Sequence, residues 1–495
     1  MSKQLLFGML CLIGAMAYIV RTEANIPGVV IALGGALGLM ALFFASLRRP
    51  ELPLYVMVAY LPFSKLLSGS FGGAMMALNL TNLLLLIVLA SWFTSVFTSG
   101  RALIEPHVLH VPVALLVAWA FAIFAVTTAR LGGEYAAEYA NELKRWLDPF
   151  IVYVAFFHLV RDKQRWKNLV VILMMGVTMV ALMAIHEYLS RGEASIERMR
   201  VGGITQQPNI LGAFFVYYMF LFTAFWLERM NQLKSWLLLI PFGLCFRGIM
   251  VTFSRGAYLA FAQGCLGLAF FKNKLLFLLA TGAIVFAVFN PWILPPGIQY
   301  RLQSTFKSQT ELTDPYGTAE LEEGLDASSA NRILIWKGAQ QMIQEHPWTG
   351  VGLGRFSSQI GQYMQQVRWY DAHNAYIITA AEMGIPALIL FIVMILVIFW
   401  ITYVVYTHHP DPFIRATALG FLGGLSGLLM ANMFGSRLNT SEASGYFWVL
   451  AALMARAYAW VEEERGKQRV DARARRRSGL RTAGSAAVVP RGIRR

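Results

Sequence analysis

The sequence has few charged residues and few cysteines for its length. Of its 495 residues, 14% are charged and 57% are hydrophobic, and only 3 are cysteines. Soluble domains carry about 25% charged residues, so this composition excludes an ordinary soluble protein. Cys11, Cys245 and Cys265 lie within apolar stretches and lack metal-ligand spacing. We therefore interpret them as small buried hydrophobic residues.

The sequence also lacks the motifs of common nucleotide-dependent and metal-dependent enzymes. It contains no Walker motif, no dinucleotide fingerprint after a strand, no His-Glu-x-x-His motif and no Cys-x-x-Cys pair. The glycine-rich run at 350–354 follows a helical pattern and a proline, which is a poor setting for a nucleotide loop. We therefore expect no cofactor and no metal. Any reaction would then need a substrate that is already activated, with a good leaving group attached.

Long apolar stretches recur along the chain. Most have the roughly 15–25 residues that a helix needs to cross a bilayer, and they lack the alternation of barrel strands. Because backbone groups in lipid must bond internally, we predict an all-α, polytopic membrane protein. We expect about twelve to fourteen transmembrane helices. The first apolar stretch, 5–20, is interpreted as a span rather than a signal peptide, because no cleavage pattern follows it.

The apolar pattern also predicts how the chain is divided. We expect transmembrane helices over 1–294, a large loop with amphipathic helices on the outer side over 295–384, transmembrane helices over 385–460, and a basic, disordered cytoplasmic tail over 461–495. Counted backwards from this tail, the spans place the basic runs 161–168, 271–274 and 47–51 on the cytoplasmic side. This agrees with the positive-inside rule, so both termini are predicted to be cytoplasmic.

The net charge of +15 does not by itself indicate nucleic-acid binding. Much of the positive charge lies in the tail, directly after a predicted span. A basic segment in that position most simply faces the anionic lipids of the membrane. We therefore expect membrane lipids, and no nucleic acid, as partners.

An amphipathic helix is predicted inside the large loop. Ile333, Trp336, Ala339, Met342 and Ile343 recur at helical spacing, and a Pro/Gly turn follows them. We expect this helix to lie along the outer face of the membrane.

Arginines beside predicted span ends are candidates for anion binding. Arg200 precedes a helix that Pro208 and Asn209 open, and Arg255 lies in a tight turn between two spans. Arginines on the outer side oppose the positive-inside bias and are usually kept for function. One guanidinium group can donate to two phosphate oxygens at once, which suits the binding of a lipid diphosphate. Arg145 could also bind the anion, or it could form only a local ion pair. Alternatively, Arg200 is simply an exposed loop residue, and Arg255 only contacts lipid headgroups.

A histidine lies near the end of the large loop, shortly before the next predicted span. His373 and Asn374 stand before a short apolar helix that a Gly-Ile-Pro sequence at 384–386 breaks. Imidazole exchanges protons near neutral pH, so His373 is a candidate general base. Its alternative is a structural residue that caps the helix beginning at Asn374. Glu382, just before the break, is a candidate to orient an arginine or His373, and Asn209, Asn374 and Glu382 are predicted as supporting residues.

Four runs in order carry a family resemblance: RVGGITQQPN, TFSRG, NRILIWKGAQQMIQEHPWTGVGLGRF and HNAYIITAAEMGIPALILF. Together they resemble the O-antigen ligase/polymerase superfamily over about residues 140–435. The resemblance implies an inner-membrane glycosyltransferase, similar to the GT-C class, that moves a glycan from undecaprenyl diphosphate to an acceptor on the periplasmic face. Among such enzymes we favour a ligase, which transfers O-antigen to a lipid A–core acceptor. The resemblance also implies that Arg200 and Arg255 hold the diphosphate, that His373 acts on the acceptor hydroxyl, and that neither metal nor nucleotide is needed.

Other functions remain open at this point. An O-antigen or exopolysaccharide polymerase and a protein O-glycosyltransferase would use the same donor. A polysaccharide transporter or lipid flippase would also have many spans and no ATP site. Transporters typically show internal repeats and ionisable residues near the midplane. Here no repeat is found and the polar residues concentrate in the outer segments, so glycosyl transfer is favoured.

Overall fold

The computed structural model describes residues 28–67, 79–191, 199–295, 298–299, 327–367, 370–435, 438 and 440–485. Within these ranges all regular structure is helical, which confirms the predicted all-α fold. The predicted first span, 5–20, lies outside the described residues.

The first half of the chain forms a series of helices joined mostly by short connections. These are α1 (Gly28–Arg48), α2 (Leu52–Tyr60), α3 (Ser64–Leu67), α4 (Leu80–Ser99), α5 (His110–Leu131), α6 (Gly133–Leu159) and α7 (Lys163–Ser190). A 3₁₀ turn, Leu61–Phe63, continues α2 into α3, so the three form one bent unit.

The second half continues the series and contains the large loop. Its helices are α8 (Pro208–Tyr218), α9 (Phe220–Leu227), α10 (Leu239–Thr252), α11 (Arg255–Lys272), α12 (Lys274–Phe289), α13 (Ala327–Glu345), α14 (Phe356–Tyr363), α15 (Ala375–His408), α16 (Pro412–Met433) and α17 (Ser441–Ser485). Further 3₁₀ turns are Gly203–Thr205, Leu233–Leu238, Pro291–Ile293 and Gln365–Val367.

Several of these helices could cross a membrane. Among the described residues, 7 are long and apolar enough: Leu80–Ser99, His110–Leu131, Lys163–Ser190, Pro208–Leu227, Leu233–Thr252, Ala375–His408 and Pro412–Met433. Shorter apolar helices are Leu37–Arg48, Leu52–Leu67 and Lys274–Phe289. The chain is therefore a polytopic membrane protein, and the total of about twelve to fourteen spans stays a prediction.

Ion pairs gather helix ends at one end of the bundle. They join Glu51 with Arg165, Glu105 with Arg161 and Arg456, Glu228 with Lys272, and Asp411 with Lys167. We call this the tail end, because the positive-inside rule predicts it to share a side with the basic tail. Helices α8, α11 and α15 begin at the other end, close in sequence to Arg200, Arg255 and His373, and we call it the site end.

Helix α16 packs in the middle of the bundle through small residues. A Cβ on Gly424 would collide with the carbonyl oxygen of Tyr217, and one on Gly267 would collide with the hydroxyl of Ser426. Small residues let helix backbones approach closely within a membrane. Most of α16 is consequently buried. Its first residues follow Asp411 at the tail end, so its last turns lie toward the site end.

Two segments differ from the sequence predictions. The apolar pattern predicts only a short span at 149–160, whereas α6 is one helix of 27 residues with Pro149 inside it. Charged residues interrupt the apolar pattern of its first half without preventing a helix. The basic tail is predicted to be disordered, but α17 continues through it to Ser485. Ala and Arg have high helix propensity, so the helix that begins at Ser441 has no sequence signal to end at residue 460.

Candidate functional site

Arg200 connects two segments of the site end. Its Nε donates to the carbonyl oxygen of Thr252 at 3.2 Å, and its Nη2 donates to Oδ1 of Asn209 at 3.0 Å. The next residue's amide, Val201 N, donates to the carbonyl oxygen of Val251 at 3.1 Å. The loop that carries Arg200 is therefore bonded to the end of α10, three residues before Arg255.

The turn between α10 and α11 presents Arg255. Phe253 adopts a left-handed conformation with φ 49°, and the Ser254 hydroxyl accepts a hydrogen bond from the amide of Ala257 at 3.4 Å. Arg255 is the first residue of α11 and is half-buried. A helix amino terminus carries partial positive charge, so the predicted anion site has a helix dipole beside its guanidinium groups.

Two further cations support the Arg200 loop, and sequence reasoning missed both. Arg191 pairs with the buried carboxylate of Glu187 and donates from Nη1 to the carbonyl oxygen of Arg200 at 2.8 Å. Lys65, the second residue of α3, donates from Nζ to the carbonyl oxygen of Thr205 at 2.8 Å. The four-residue spacing of Glu187 and Arg191 is a sequence signal for such a pair, whereas nothing in the sequence signals the contact of Lys65.

His373 has an unusual backbone conformation. Its φ is 47°, in the left-handed region that few residues other than glycine adopt. Asp371 holds this conformation, because its Oδ2 accepts from the His373 amide at 3.1 Å and lies 3.3 Å from Nδ1 of the ring. The imidazole is exposed, and a proton on Nδ1 would leave Nε2 as the acceptor nitrogen. Asp371 was not among the predicted site residues, although Asp-x-His is a recognisable local signal.

Asn374, rather than His373, caps α15. The Asn374 side chain accepts from the amides of Tyr376 at 2.9 Å and Ile377 at 3.1 Å. This satisfies amide groups that a helix start leaves without partners. The capping role offered as the alternative for His373 therefore belongs to its neighbour, which had been predicted as a supporting residue.

The large loop supports the His373 segment through α13. The indole Nε1 of Trp336 donates to the carbonyl oxygen of Ala372, immediately before His373, at 2.9 Å. Ile335, Ala339 and Met342 of the same helix belong to a buried cluster that also contains Ala372. The predicted helix is thus confirmed, and its apolar side packs against protein. Its location along the outer membrane face stays a prediction.

Glu382 lies beside the glycine-rich run. Its Oε1 accepts from the amide of Phe356 at 3.1 Å, at the start of α14. The amide of Gly352 donates to the Glu382 carbonyl oxygen at 3.0 Å, and Gly384 breaks α15 with φ 82°. The break agrees with the sequence prediction. The carboxylate contact differs from the expectation that Glu382 orients an arginine or His373, because it fixes loop backbone instead.

Arg145 makes the local contact offered as its alternative. Its Nη1 lies 2.9 Å from Oε1 of Glu142, one turn earlier on α6. Both side chains are exposed. This ion pair ties Arg145 to its own helix, whereas the hydrogen bonds of Arg200 lead to Asn209 and to the turn before Arg255.

The histidine segment and the arginine turn both touch the end of α16. The Tyr376 hydroxyl donates to the carbonyl oxygen of Leu429 at 3.0 Å. On the other side, a Cβ on Gly256 would lie 3.1 Å from Cβ of Phe434. Residues 429 and 434 are separated by a rise of about 7–8 Å along a helix. Tyr376, three residues after His373, and Gly256, next to Arg255, thus both contact the end of one helix.

Carboxylates and imidazoles do not gather into a metal-binding group in the part of the chain that the structure describes. No set of three or more His, Cys, Asp or Glu residues is placed there to hold an ion.

The fold and this site define a polytopic, all-α membrane protein with a basic site and a histidine at one end of its bundle. Residues 240–392 match the model of the O-antigen ligase family, which supports the resemblance to the O-antigen ligase superfamily. The family supports a function of the O-antigen ligase or polymerase type on lipid-linked glycans. No curated protein matches the sequence.

The match covers less than half of the chain and only part of the predicted site. It includes Arg255 and the segment from His373 to Glu382, whereas Arg200, Asn209 and Arg145 precede it. The hydrogen bonds from Arg200 to Thr252 and Asn209 are what join the earlier loop to the matched segment.

Proposed function

We propose that the protein transfers O-antigen polysaccharide from undecaprenyl diphosphate to a lipid A–core acceptor on the periplasmic face of the inner membrane. One observation carries this proposal. The Arg200 loop is bonded to the turn before Arg255, and the segments that carry Arg255 and His373 contact the end of the same helix through Gly256 and Tyr376. A diphosphate-binding site and a proton acceptor would then meet where two lipid-borne substrates can approach.

Arg200 and Arg255 would bind the donor diphosphate. Paired guanidinium groups remain charged at any working pH and match phosphate oxygens. As the bond between the sugar and the diphosphate breaks, its electron pair moves onto a phosphate oxygen. The two arginines and the amino terminus of α11 would stabilise that negative charge.

His373 would act on the acceptor. The acceptor hydroxyl oxygen forms a new bond to the anomeric carbon of the donor sugar, while the bond from that carbon to the diphosphate breaks. The hydroxyl proton passes to Nε2 of His373. Asp371, 3.3 Å from Nδ1, would then stabilise the charged imidazolium and keep the ring oriented. Atoms and charges balance without a metal or nucleotide, so we also propose metal-independent transfer.

Deletion of the gene tests the function in cells. The lipopolysaccharide of the deletion strain should lose all O-antigen bands, and the lipid-linked polymer should accumulate. A lipopolysaccharide carrying one repeat would instead identify a polymerase. An unchanged lipopolysaccharide ladder together with an altered glycoprotein would identify a protein O-glycosyltransferase. Loss of polysaccharide export, with glycan transfer retained in isolated membranes, would identify a transporter.

A further inference from the structure

Helix α10 has one face packed against protein and one face exposed. Gly248 lies on the packed face, where a Cβ would collide with an aromatic ring of α8. Ile240, Gly243 and Arg247, spaced three and four residues apart, are exposed and form one stripe along the helix, which we call the α10 stripe. The segment Leu233–Thr252 is long and apolar enough to cross a membrane. The α10 stripe therefore faces the bilayer.

The α10 stripe combines open space with a positive charge. A Cβ on Gly243 would meet no atom of the described residues within 4 Å, so the helix surface is open at this point. Arg247 follows one turn later and lies about 7–8 Å below Thr252, where α10 ends at the site end. A guanidinium group is costly in hydrocarbon, so an arginine at this depth extends toward a phosphate or another polar group.

The Arg247 guanidinium is directed toward α7 and the Arg200 loop. Its Cζ lies 5.1 Å from the centroid of the Tyr188 ring, a cation–π contact between α10 and α7. Arg191, one turn after Tyr188, donates from Nη1 to the carbonyl oxygen of Arg200 at 2.8 Å. Arg247, Arg191 and Arg200 thus follow one another from the bilayer to the site end.

This order of residues matches the order of groups in a lipid-linked donor. Such a donor has a prenyl chain in the bilayer, then a lipid-side phosphate, then a glycan-side phosphate and then the sugar outside. The open surface at Gly243 suits the chain, and Arg247 suits the first phosphate. Arg200 and Arg255 suit the second. A phosphate that arrives from water would not need an arginine below the membrane surface, and an ordinary phospholipid has no second phosphate for Arg200.

We propose that the α10 stripe binds the lipid end of the donor, with the prenyl chain over Gly243 and the phosphate attached to that chain on Arg247. The ligand is the lipid-linked diphosphate, so this assignment rests on the proposed function. It adds Arg247 to the residues that contact the donor. It also places the approach of the donor from the bilayer between α7 and α10.

Binding to the purified full chain in phosphatidylcholine nanodiscs tests this site. The probes are undecaprenyl diphosphate in the bilayer and inorganic pyrophosphate in water. Arg247→Gln should weaken binding of undecaprenyl diphosphate about tenfold, the loss of one charge-assisted hydrogen bond. Gly243→Leu should weaken it about fivefold, because the added side chain fills the space for the prenyl chain. Gly243→Leu should bind inorganic pyrophosphate as the wild type does, since that probe has no chain.

Two matched variants control for general effects. Arg130→Gln removes another exposed arginine, near the site end of the span His110–Leu131. Gly282→Leu adds a side chain at another helix glycine where a Cβ would meet no described atom within 4 Å. Both should bind both probes with wild-type affinity. Losses in these controls equal to those in the site variants would attribute the effect to general changes in the protein and overturn the proposal.

A second bilayer composition distinguishes the donor from ordinary phospholipid. Replacing part of the phosphatidylcholine with phosphatidylglycerol should leave the difference in undecaprenyl diphosphate affinity between wild type and Arg247→Gln unchanged. If phosphatidylglycerol abolishes that difference, Arg247 binds phospholipid headgroups in general and the proposal is wrong.

Crosslinking of the wild type requires no variant to fold. Undecaprenyl diphosphate with a photoactivatable group in its chain should label the segments 182–191 and 237–247. Labelling confined to other helices, wild-type affinity in both site variants, or an equal loss of pyrophosphate binding in Gly243→Leu would also overturn the site. If the site binds as expected but the protein transfers no glycan to rough lipopolysaccharide, which carries core sugars but no O-antigen, the proposed function fails and the lipid diphosphate site stands.

Discussion

Arg200 donates from Nη2 to Oδ1 of Asn209 at 3.0 Å, which ties a loop arginine to the first turn of the helix that follows it. The same guanidinium reaches Thr252 through Nε. Its Nε and Nη2 atoms are thus hydrogen-bonded within the protein, and this fixes the plane of the guanidinium group before any substrate binds. Preorganised charge of this kind costs no reorganisation during a reaction.

Replacement of either arginine by lysine should therefore impair transfer. Lysine keeps the positive charge but loses the planar, multidentate geometry. We expect Arg200→Lys and Arg255→Lys each to lower the transfer rate by about 10²-fold, the effect of removing one preorganised donor. Purified protein, lipid-linked donor and rough lipopolysaccharide provide the assay. Arg101→Lys, at an exposed loop position of the tail end, is the control. Wild-type transfer by both site variants would contradict an anion site.

His373 should contribute through its ring rather than through its backbone. General-base assistance is worth about 10²–10⁴ in rate, so His373→Ala should lose transfer by that order while donor binding is kept. Asp371→Asn should lose less, because it keeps a side chain that can still accept from the His373 amide. Single-turnover rates and donor affinities measure the two effects separately. If His373→Ala folds, binds donor and transfers at the wild-type rate, another group removes the proton.

Local patterns made much of the fold predictable, whereas contacts between distant segments did not follow from them. Apolar length predicted helical spans, and the Ser254 turn and the Asn374 helix start follow from the residues at those positions. The bonds of Arg200 to Thr252 and of Trp336 to Ala372 connect positions 52 and 36 residues apart. They depend on how helices pack, which no periodicity encodes. Glu382 illustrates the same limit. The sequence shows that it is polar, but not that its carboxylate accepts from the amide of Phe356 in another segment.

Trp336 should act as a positioning residue for His373. Trp336→Phe keeps an aromatic ring but removes the N–H that donates to Ala372. We expect kcat to fall roughly fivefold, the effect of about 1 kcal/mol in hydrogen bonding, with little change in KM for the donor. Trp348→Phe is the control, since Trp348 lies near the same loop and is 72% exposed. A loss of thermal stability with unchanged kcat would make the contact purely structural.

Transfer should persist without divalent cations. The proposed mechanism uses guanidinium groups to neutralise the leaving diphosphate, a task that Mg²⁺ performs in many other phosphate enzymes. Purified protein should keep its wild-type rate in excess EDTA, and Arg200→Lys should gain nothing from added Mg²⁺ or Mn²⁺. Loss of transfer in chelator, with rescue by either ion, would replace the proposed metal-independent mechanism.

Glu105 should stabilise the tail end through two arginines. It pairs with Arg161 at 2.7 Å and with Arg456 at 3.0 Å, and the Arg456 side chain is only 5% exposed. Glu105→Gln would leave that buried cation without its carboxylate. Breaking a buried pair costs about 3–5 kcal/mol, and the partial exposure of Glu105 favours the lower end of this range. The variant should unfold at a clearly lower temperature than wild type in detergent at pH 7.

The same contact predicts how stability depends on pH. Burial opposes ionisation of Glu105, but the hydrogen bonds from Arg161 and Arg456 outweigh it and hold the pKa of its carboxyl below the ordinary value of 4.5. A lowered pKa stabilises the folded protein above the unfolded-state value, and this stabilisation is lost as the pH falls through the folded-state value. The difference in unfolding temperature between wild type and Glu105→Gln should therefore shrink below pH 4.5. Glu462→Gln, which removes an exposed partner of Arg465, should resemble wild type at every pH. A constant difference between wild type and Glu105→Gln from neutral to acidic pH would show that the carboxylate charge is not what holds the tail end together.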